Sequence, residues 1–239
     1  MELSRTKKTP TIPKIYLGDD DRDRLFNYHP DFDLQEGRDN KKEWVDLIDH
    51  MQDNRILFLF EELNNEITNK LISVMLYLDY EEEGVIRLFI NSPGGSIYNG
   101  LALQNSIWGL YSPIQTVGMG KVAAMAAVVL ASGDEKRRVA FHSTRIMLHL
   151  PKKKKKKNKE KEKFHISEAL IADVAHLAKL HDRIVSFLSH VSGRRMETIY
   201  ADLERDLFMS AEEAKDYGII DRVLEPELDE PETETETET

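Results

Sequence analysis

The chain contains no cysteine, which excludes a disulfide framework, a thiolate nucleophile and a cysteine-ligated zinc site. It also lacks a long hydrophobic run: the longest apolar stretch, Val122–Gly133, holds twelve residues, against the roughly 20 that a membrane-spanning helix needs. Its eight histidines include no pair spaced four apart around a glutamate, the arrangement typical of zinc peptidases. We therefore expect a soluble protein without structural disulfides or a resident metal.

Negative charge is concentrated near the C-terminal end. The chain has 33 lysines and arginines against 43 aspartates and glutamates, a net charge of -10. Residues 225–239 hold eight carboxylates and no base, so the rest of the chain carries a net charge of only -2. This acidic tail alternates glutamate with threonine, a low-complexity composition that predicts disorder.

A second charge run, residues 152–163, consists of nine lysines, two glutamates and one asparagine. Such a lysine-rich insertion buries nothing and predicts a solvated loop. No aromatic residues are interleaved with the lysines, so nucleic-acid binding is not predicted. Residues 1–42 are polar, interrupted by prolines and without periodicity, and are predicted to form an arm. Residues 43–224 remain, enough for one domain with a sizeable core.

Within that domain, short apolar runs alternate with helical stripes. A helical stripe at Ile67, Leu71, Met75 and Leu78 follows the first run, and a long amphipathic helix is predicted through Leu170–Val191. A capping box at Ser210–Glu213 predicts a helix that ends at Gly218. The repeated alternation predicts an α/β fold with parallel strands and right-handed crossovers. The predicted strands are Arg55–Phe60, Val85–Ile90, Ile114–Val117, Arg138–Phe141, Arg145–His149 and a last one at Ile219–Val223.

Two strand-to-helix junctions are candidates for chemistry. In Asn91–Gly95, two adjacent glycines allow the backbone to approach a ligand and to aim N–H groups at an anion or oxyanion; a tight turn is the alternative interpretation. Gly118–Ala127 leads into a helix of small residues predicted over Val122–Ala131. For this second junction, close helix packing is the stronger interpretation.

His149 closes a predicted strand. With a side-chain period of two, it shares a face with Met147 and lies opposite Ile146 and Leu148. Most histidines in such positions are structural, so position alone does not assign a catalytic role to His149.

Taken together, these stretches resemble the proteolytic subunit of the ATP-dependent Clp protease. The resemblance extends from about Trp44 to Val223, and Ile12–Lys14 with Trp44–Asp46 most resemble plastid-encoded members. The matching motifs are Phe89–Gly95, Met119–Met125, Arg145–His149, Glu204–Ala214 and Asp216–Asp221.

The resemblance implies a crotonase-like β/α superhelix with a long handle helix. It also implies homo- or hetero-oligomeric seven-membered rings stacked in pairs with active Clp proteolytic subunits, unfolded proteins as substrates, and a Clp-type AAA+ unfoldase as partner. ATP is then used by the unfoldase, and this chain needs no cofactor. Neither nucleic acid nor membrane is an expected partner. The expected location is the plastid or chloroplast stroma, otherwise the cytoplasm.

The resemblance also assigns roles to individual positions. The family's nucleophilic serine falls at Ala124, its histidine base at His149 and its orienting aspartate at Asp206. The backbone N–H groups of Gly95 and Met125 correspond to the oxyanion hole.

Two departures from the family pattern bear on activity. The methyl group of Ala124 has no lone pair to attack a carbonyl and no proton for His149 to accept, so this subunit is expected to be inert or nearly so as a serine peptidase. Lys121 is a poor substitute, since its ammonium would need a strongly lowered pKa. The lysine-rich insertion replaces a glycine-containing handle strand and resists an extended form through self-repulsion.

Three functions follow as hypotheses. The first is a non-catalytic subunit of a Clp-type core complex that supplies wall, interface and docking surface. The second is an endopeptidase active in its own right, through another nucleophile or because Ala124 is one change in an otherwise competent site. The third, a crotonase-type acyl-CoA enzyme, is disfavoured by the Clp-like Glu204–Asp206 segment and the capped helix after it.

Overall fold

A computed structural model of the chain describes residues 14–16, 44–81, 83–149 and 168–225. The lysine-rich insertion, the acidic tail beyond its first residue, and the predicted arm apart from residues 14–16 lie outside these ranges. The chain divides into two compact units, residues 1–57 and residues 58–239.

The first unit contains a two-stranded antiparallel sheet. Strand β1 (Lys14–Tyr16) pairs with β2 (Trp44–Asp46), and helix α1 (Leu47–Asp53) follows. The polar composition of residues 1–42 did not predict β1, because three residues are too few to show an alternating pattern.

The second unit is built on a mixed sheet with helices between its strands. The sheet order is β3-β4-β5-β6-β9, with β7 beside β5 and β8 beside β7. Its elements are β3 (Ile56–Leu59), whose residues fall on both sides of the division, α2 (Asn65–Glu81), β4 (Ile86–Ser92), α3 (Ile97–Gly109), β5 (Ile114–Ala123), α4 (Met125–Ala131), β6 (Arg138–Phe141), β7 (Arg145–Leu148), α5 (Glu168–Ser192), α6 (Met196–Glu204), β8 (Leu207–Met209), α7 (Ala211–Tyr217) and β9 (Arg222–Leu224).

The predicted α/β class is confirmed, with one difference in strand direction. Strand β5 is parallel to β4, β6 and β7, and β9 is parallel to β6. Strand β8, in contrast, runs antiparallel to its neighbour β7. None of the helices in the described ranges is both long and apolar enough to cross a bilayer.

The core follows the periodicity of the sequence. On α2 the buried side chains include Leu71, Met75 and Leu78, as the helical stripe predicted. All seven residues of α4 are buried, since their small and branched side chains allow close contact with β5 and α3. Each large apolar side chain that is fully buried contributes about 1.5–3 kcal/mol to folding.

Several boundaries differ from the prediction, among them those of β5, α4 and β9. Strand β5 continues past Val117 to Ala123, because its last residues pair with β7. Helix α4 consequently begins at Met125 rather than at Val122. Strand β9 begins at Arg222, and the two isoleucines before it are buried in the turn that leaves α7.

The capping box predicted at the start of α7 is confirmed. The Ser210 hydroxyl accepts from the Glu213 N–H at 3.2 Å, and the Glu213 carboxylate accepts from the Ser210 N–H at 2.7 Å. These hydrogen bonds, the backbone one first, hold the pKa of the Glu213 carboxyl below its ordinary value. Gly218, at φ 95°, ends the helix in the left-handed conformation that glycine adopts without strain.

An ion pair between Arg138 and Asp221 joins the start of β6 to the turn before β9. The Asp221 carboxylate accepts from the backbone N–H of Arg138 at 3.0 Å and from its Nε at 2.9 Å. A third contact joins the Arg138 Nη2 to the other carboxylate oxygen. Both side chains are largely buried, so this pair is expected to matter more than an exposed one.

We expect Asp221→Asn to lower the free energy of unfolding by about 2–3 kcal/mol, because it leaves a buried guanidinium without its counter-charge. Urea titration measures this change. The matched control is Lys70→Gln, which removes the exposed Glu66–Lys70 pair on α2 and should change stability too little to measure. Equal effects of the two substitutions would contradict the assignment.

Candidate functional site

The junction between β5 and α4 holds a strained residue. Ala124 has φ 53° and ψ -125°, a region that costs a non-glycine residue about 1–3 kcal/mol. Its N–H donates to the Met147 carbonyl at 2.8 Å, and its carbonyl accepts from the Ala127 N–H at 3.1 Å. The surrounding strand and helix therefore fix a backbone geometry that alanine does not favour by itself.

The Gly94–Gly95 turn lies against this junction. A Cβ at Gly94 would lie 2.5 Å from the Ala123 carbonyl oxygen, 2.8 Å from the Ala124 Cβ and 3.0 Å from the Met125 nitrogen. Gly94 also has φ 85°. Only a residue without a side chain fits here, so the first glycine allows the two strand-to-helix junctions to meet.

The segment after β3 fixes the conformation of this turn through hydrogen bonds. The Ser92 hydroxyl accepts from the Gly94 N–H at 3.1 Å and donates to the Glu61 carbonyl at 2.6 Å. Leu63 forms a parallel bridge to Gly95, with its N–H donating to the Gly94 carbonyl at 2.8 Å and its carbonyl accepting from Ser96 at 3.1 Å. The backbone conformation of the turn is thus fixed on both sides.

The two N–H groups predicted to form an oxyanion hole belong to adjoining segments. Within the part of the chain that the structure describes, neither the Gly95 N–H nor the Met125 N–H donates to an acceptor. Met125 is the first residue of α4, where backbone N–H groups have no partner inside the helix. Its side chain is buried against Gly100 of α3. Both groups are suited to an oxyanion, and their role stays a prediction.

His149 directly follows β7, and Asp206 directly precedes β8. In the antiparallel pair β7–β8, Ile146 is opposite Met209 and Leu148 is opposite Leu207. His149 and Asp206 lie just beyond this last pair, and both are partly buried. The Met147 carbonyl accepts from the Ala124 N–H, so β7 links the Ala124 junction to the strand end that precedes His149.

The burial pattern of β7 agrees with the sequence prediction. Ile146 and Leu148 are buried, whereas Met147 and His149 are only partly so. His149 therefore lies on the open face of the sheet with Met147, as the two-residue period predicted. Lys121, which the sequence analysis rejected as a nucleophile, is exposed.

A buried network that the sequence did not predict anchors the segment before Asp206. Asp202, on α6, is almost fully buried; it accepts from the Tyr217 hydroxyl at 2.8 Å and from Arg205 at 2.5 Å. The Arg194 guanidinium lies 4.1 Å from the centre of the Tyr217 ring. Asp206 itself has φ 55° and directly follows Arg205 of this network.

Burial, and next the hydrogen bond to Asp202, raise the pKa of the Tyr217 hydroxyl well above its ordinary value. A raised pKa in the folded state contributes stability that is present below the unfolded value near 10 and is lost as the pH rises above it.

We expect Tyr217→Phe to lower the free energy of unfolding by about 1–3 kcal/mol at pH 8, because a buried carboxylate loses a donor. Urea titrations of both proteins should show this difference shrinking above about pH 10. A pH-independent difference would contradict the proposed hydrogen bond.

The described residues contain no group of three or more histidine, aspartate or glutamate side chains placed to bind a metal ion. The predicted site consists of two backbone N–H groups, an imidazole and a carboxylate. Groups of these kinds can stabilise an oxyanion and accept a proton. The position predicted for the nucleophile carries a methyl group.

The fold and this site define an α/β protein with a strained strand-to-helix turn of the kind that hydrolases use to present a nucleophile. A family model described as Clp protease matches residues 39–227. The chain belongs to the Clp protease family, and the α/β fold with a long helix expected from the sequence resemblance is the fold observed.

Several curated proteins are similar over most of their length. "ATP-dependent Clp protease proteolytic subunit 3" of Parasynechococcus marenigrum is 40% identical over 182 residues, covering 76% of this chain and 88% of the relative. "ATP-dependent Clp protease proteolytic subunit" of Chlorella vulgaris is 35% identical, with 76% and 87% covered. The protein of the same name from Glycine max is 38% identical over 183 residues, with 75% and 89% covered.

Proposed function

We propose that this chain is a ring subunit of an ATP-dependent Clp core complex that degrades unfolded proteins to peptides, and that it does not itself cleave peptide bonds. Family membership supports the first half of this proposal, since the similar proteins are named as proteolytic subunits. The second half depends on residue 124.

The observation that carries the proposal is an alanine at the strained position between β5 and α4. Attack on a carbonyl needs an oxygen or another nucleophilic atom at this position, and a methyl group supplies none. Without its nucleophile, a triad enzyme accelerates the reaction only about 10³- to 10⁴-fold over water, which is a small part of its full acceleration. The chain then serves as wall, interface and docking surface.

The partners follow from the names of the relatives. They are called ATP-dependent, so we infer that a Clp-type AAA+ unfoldase uses the ATP and delivers unfolded chains. Active Clp proteolytic subunits would complete the paired seven-membered rings. Because a green alga and a plant are among the organisms with similar proteins, we place the chain in the plastid stroma.

Co-expression with a Clp proteolytic subunit that carries the nucleophilic serine tests the subunit role. Native mass spectrometry should show rings that contain both chains, and peptidase activity should scale with the number of serine-bearing subunits. The chain alone should be silent. Exclusion of the chain from every ring would refute the proposed role.

A peptidase active in its own right is the second candidate, and the backbone at the predicted nucleophile position favours it. Ala124 has the strained conformation, and Gly94 fits closely against it. If Ala124 is a single change in an otherwise competent site, restoring a hydroxyl restores cleavage. Cleavage by the Ala124→Ser variant would show that the rest of the site is intact. Absence of cleavage would show that other parts of the site have changed as well.

A further inference from the structure

The open face of the β5–β7–β8 sheet carries two cations around an apolar centre. Parallel pairing places Lys121 of β5 beside Arg145 of β7, and antiparallel pairing places Phe208 of β8 beside Met147. Paired residues of neighbouring strands project to the same face. Lys121, Arg145 and Phe208 are exposed, Phe208 to 68%.

The opposite face of the same strands is core. Val122, Ile146 and Met209 are buried. The two cations and the phenyl ring therefore lie on one face, together with Met147, and His149 directly follows β7.

Neither cation is neutralised by a carboxylate in the described residues. Lys121 and Arg145 form no ion pair there. Arg145 contributes to the lowered pKa of the Glu213 carboxyl, but the main cause is the backbone N–H of Ser210, to which that carboxylate is bonded. Within the described part of the chain, the face thus carries two cations outside any ion pair, with the Glu213 carboxylate near Arg145.

We propose that this face is a subsite for acidic peptides, and that Lys121 and Arg145 bind side-chain carboxylates while Phe208 and Met147 contact an apolar residue between them. The inference rests on the proposed function, in which this face belongs to a peptide-handling surface. Along β7, Arg145 stands four residues from His149, about 13 Å in an extended strand. A peptide lying across this face with a carboxylate at Arg145 would therefore place a residue about four positions further along near His149.

The test uses two end-capped, fluorescein-labelled peptides of eleven residues, each with a central leucine and alanines around it. One has two glutamates at each end, and its twin has glutamines there. Fluorescence anisotropy on the purified full chain gives both affinities. Exposed ion pairs of this kind change binding about two- to fivefold each, and added salt should weaken the preference for glutamate.

Substitutions decide the assignment, because the lysine-rich insertion also attracts carboxylates. Lys121→Gln and Arg145→Gln should each lower affinity for the acidic peptide about two- to fivefold, with the neutral peptide unaffected. The matched control is Lys136→Gln. It removes the same charge at an exposed turn before β6, at the opposite end of the strands, and should change neither affinity.

An unchanged preference for the acidic peptide in the Lys121→Gln/Arg145→Gln double variant would overturn the inference, as would the absence of peptide binding. Co-assembly of the chain with a serine-bearing subunit is measured separately by native mass spectrometry. If the chain co-assembles but the substitutions do not lower affinity for the acidic peptide, only the subsite is refuted. If the substitutions lower that affinity but the chain never co-assembles, only the subunit role is refuted.

Discussion

Ala124→Ser should turn a silent chain into a peptidase. The substitution adds one hydroxyl at a backbone that is already held at φ 53° and ψ -125°, beside the predicted oxyanion donors. The N–H of this residue donates to Met147, two residues before His149. Because loss of a nucleophile removes most of the acceleration of a triad enzyme, its return should raise peptide cleavage by at least about 10²- to 10³-fold. Hydrolysis of a fluorogenic peptide by the purified chain, without serine-bearing subunits, measures the gain.

Two further variants show whether the gain comes from the predicted triad. Ala123→Ser adds the same hydroxyl one residue earlier, at a buried strand position, and should remain silent. Ala124→Ser combined with His149→Ala should lose the restored activity, because no base accepts the proton. If Ala124→Ser assembles normally and shows no cleavage, the site has changed in more than the nucleophile.

Gly94→Ala should have the largest effect on stability. Its Cβ would lie 2.5 Å from the backbone oxygen of Ala123 and 3.0 Å from the nitrogen of Met125, and neither atom belongs to a flexible side chain. The residue would also keep φ 85°, which is unfavourable for alanine. Steric overlap and backbone strain together predict a loss of about 2–4 kcal/mol in the free energy of unfolding.

Gly109→Ala is the control for this prediction. Gly109 is the last residue of α3, and a Cβ there would meet no atom within 4 Å. Alanine should leave stability unchanged or raise it by about 0.4–1 kcal/mol, because it restricts the unfolded chain. Chemical denaturation measures both variants. A Gly94→Ala protein as stable as the Gly109→Ala protein would show that the two junctions do not meet as described.

Local patterns in the sequence predicted most of the second unit. The α2 stripe, the capping box at Ser210 and the alternation around His149 each depend on residues a few positions apart, so they are visible in the sequence. The motif resemblance then led to the family. The Gly94–Gly95 turn was a candidate from the sequence, and the structure adds the reason that Gly94 excludes a side chain.

Features that depend on distant residues were not predicted. Strand β5 extends to Ala123 because β7 is available to pair with it. Strand β8 has three residues and is defined by its pairing with β7 rather than by a pattern of its own. The hydrogen bond between Asp202 and Tyr217 joins residues fifteen apart; nothing in the local sequence of either indicates it.

The strain at Ala124 bears on how the site should be understood. An alanine gains nothing from a positive φ, and such a conformation persists only where neighbouring structure determines it. Here the Met147 carbonyl and the first turn of α4 determine it. The backbone that would present a nucleophile is thus built by β5, β7 and α4 and does not depend on the side chain at 124.

Intact-mass spectrometry of the purified chain after treatment with an excess of a fluorophosphonate probe tests the central claim most directly. Such probes form a covalent adduct with an activated serine. The account predicts no mass shift for this chain and one adduct per subunit for the Ala124→Ser variant. A stoichiometric adduct on the unsubstituted chain would contradict it, because a nucleophile other than residue 124 would then be at work.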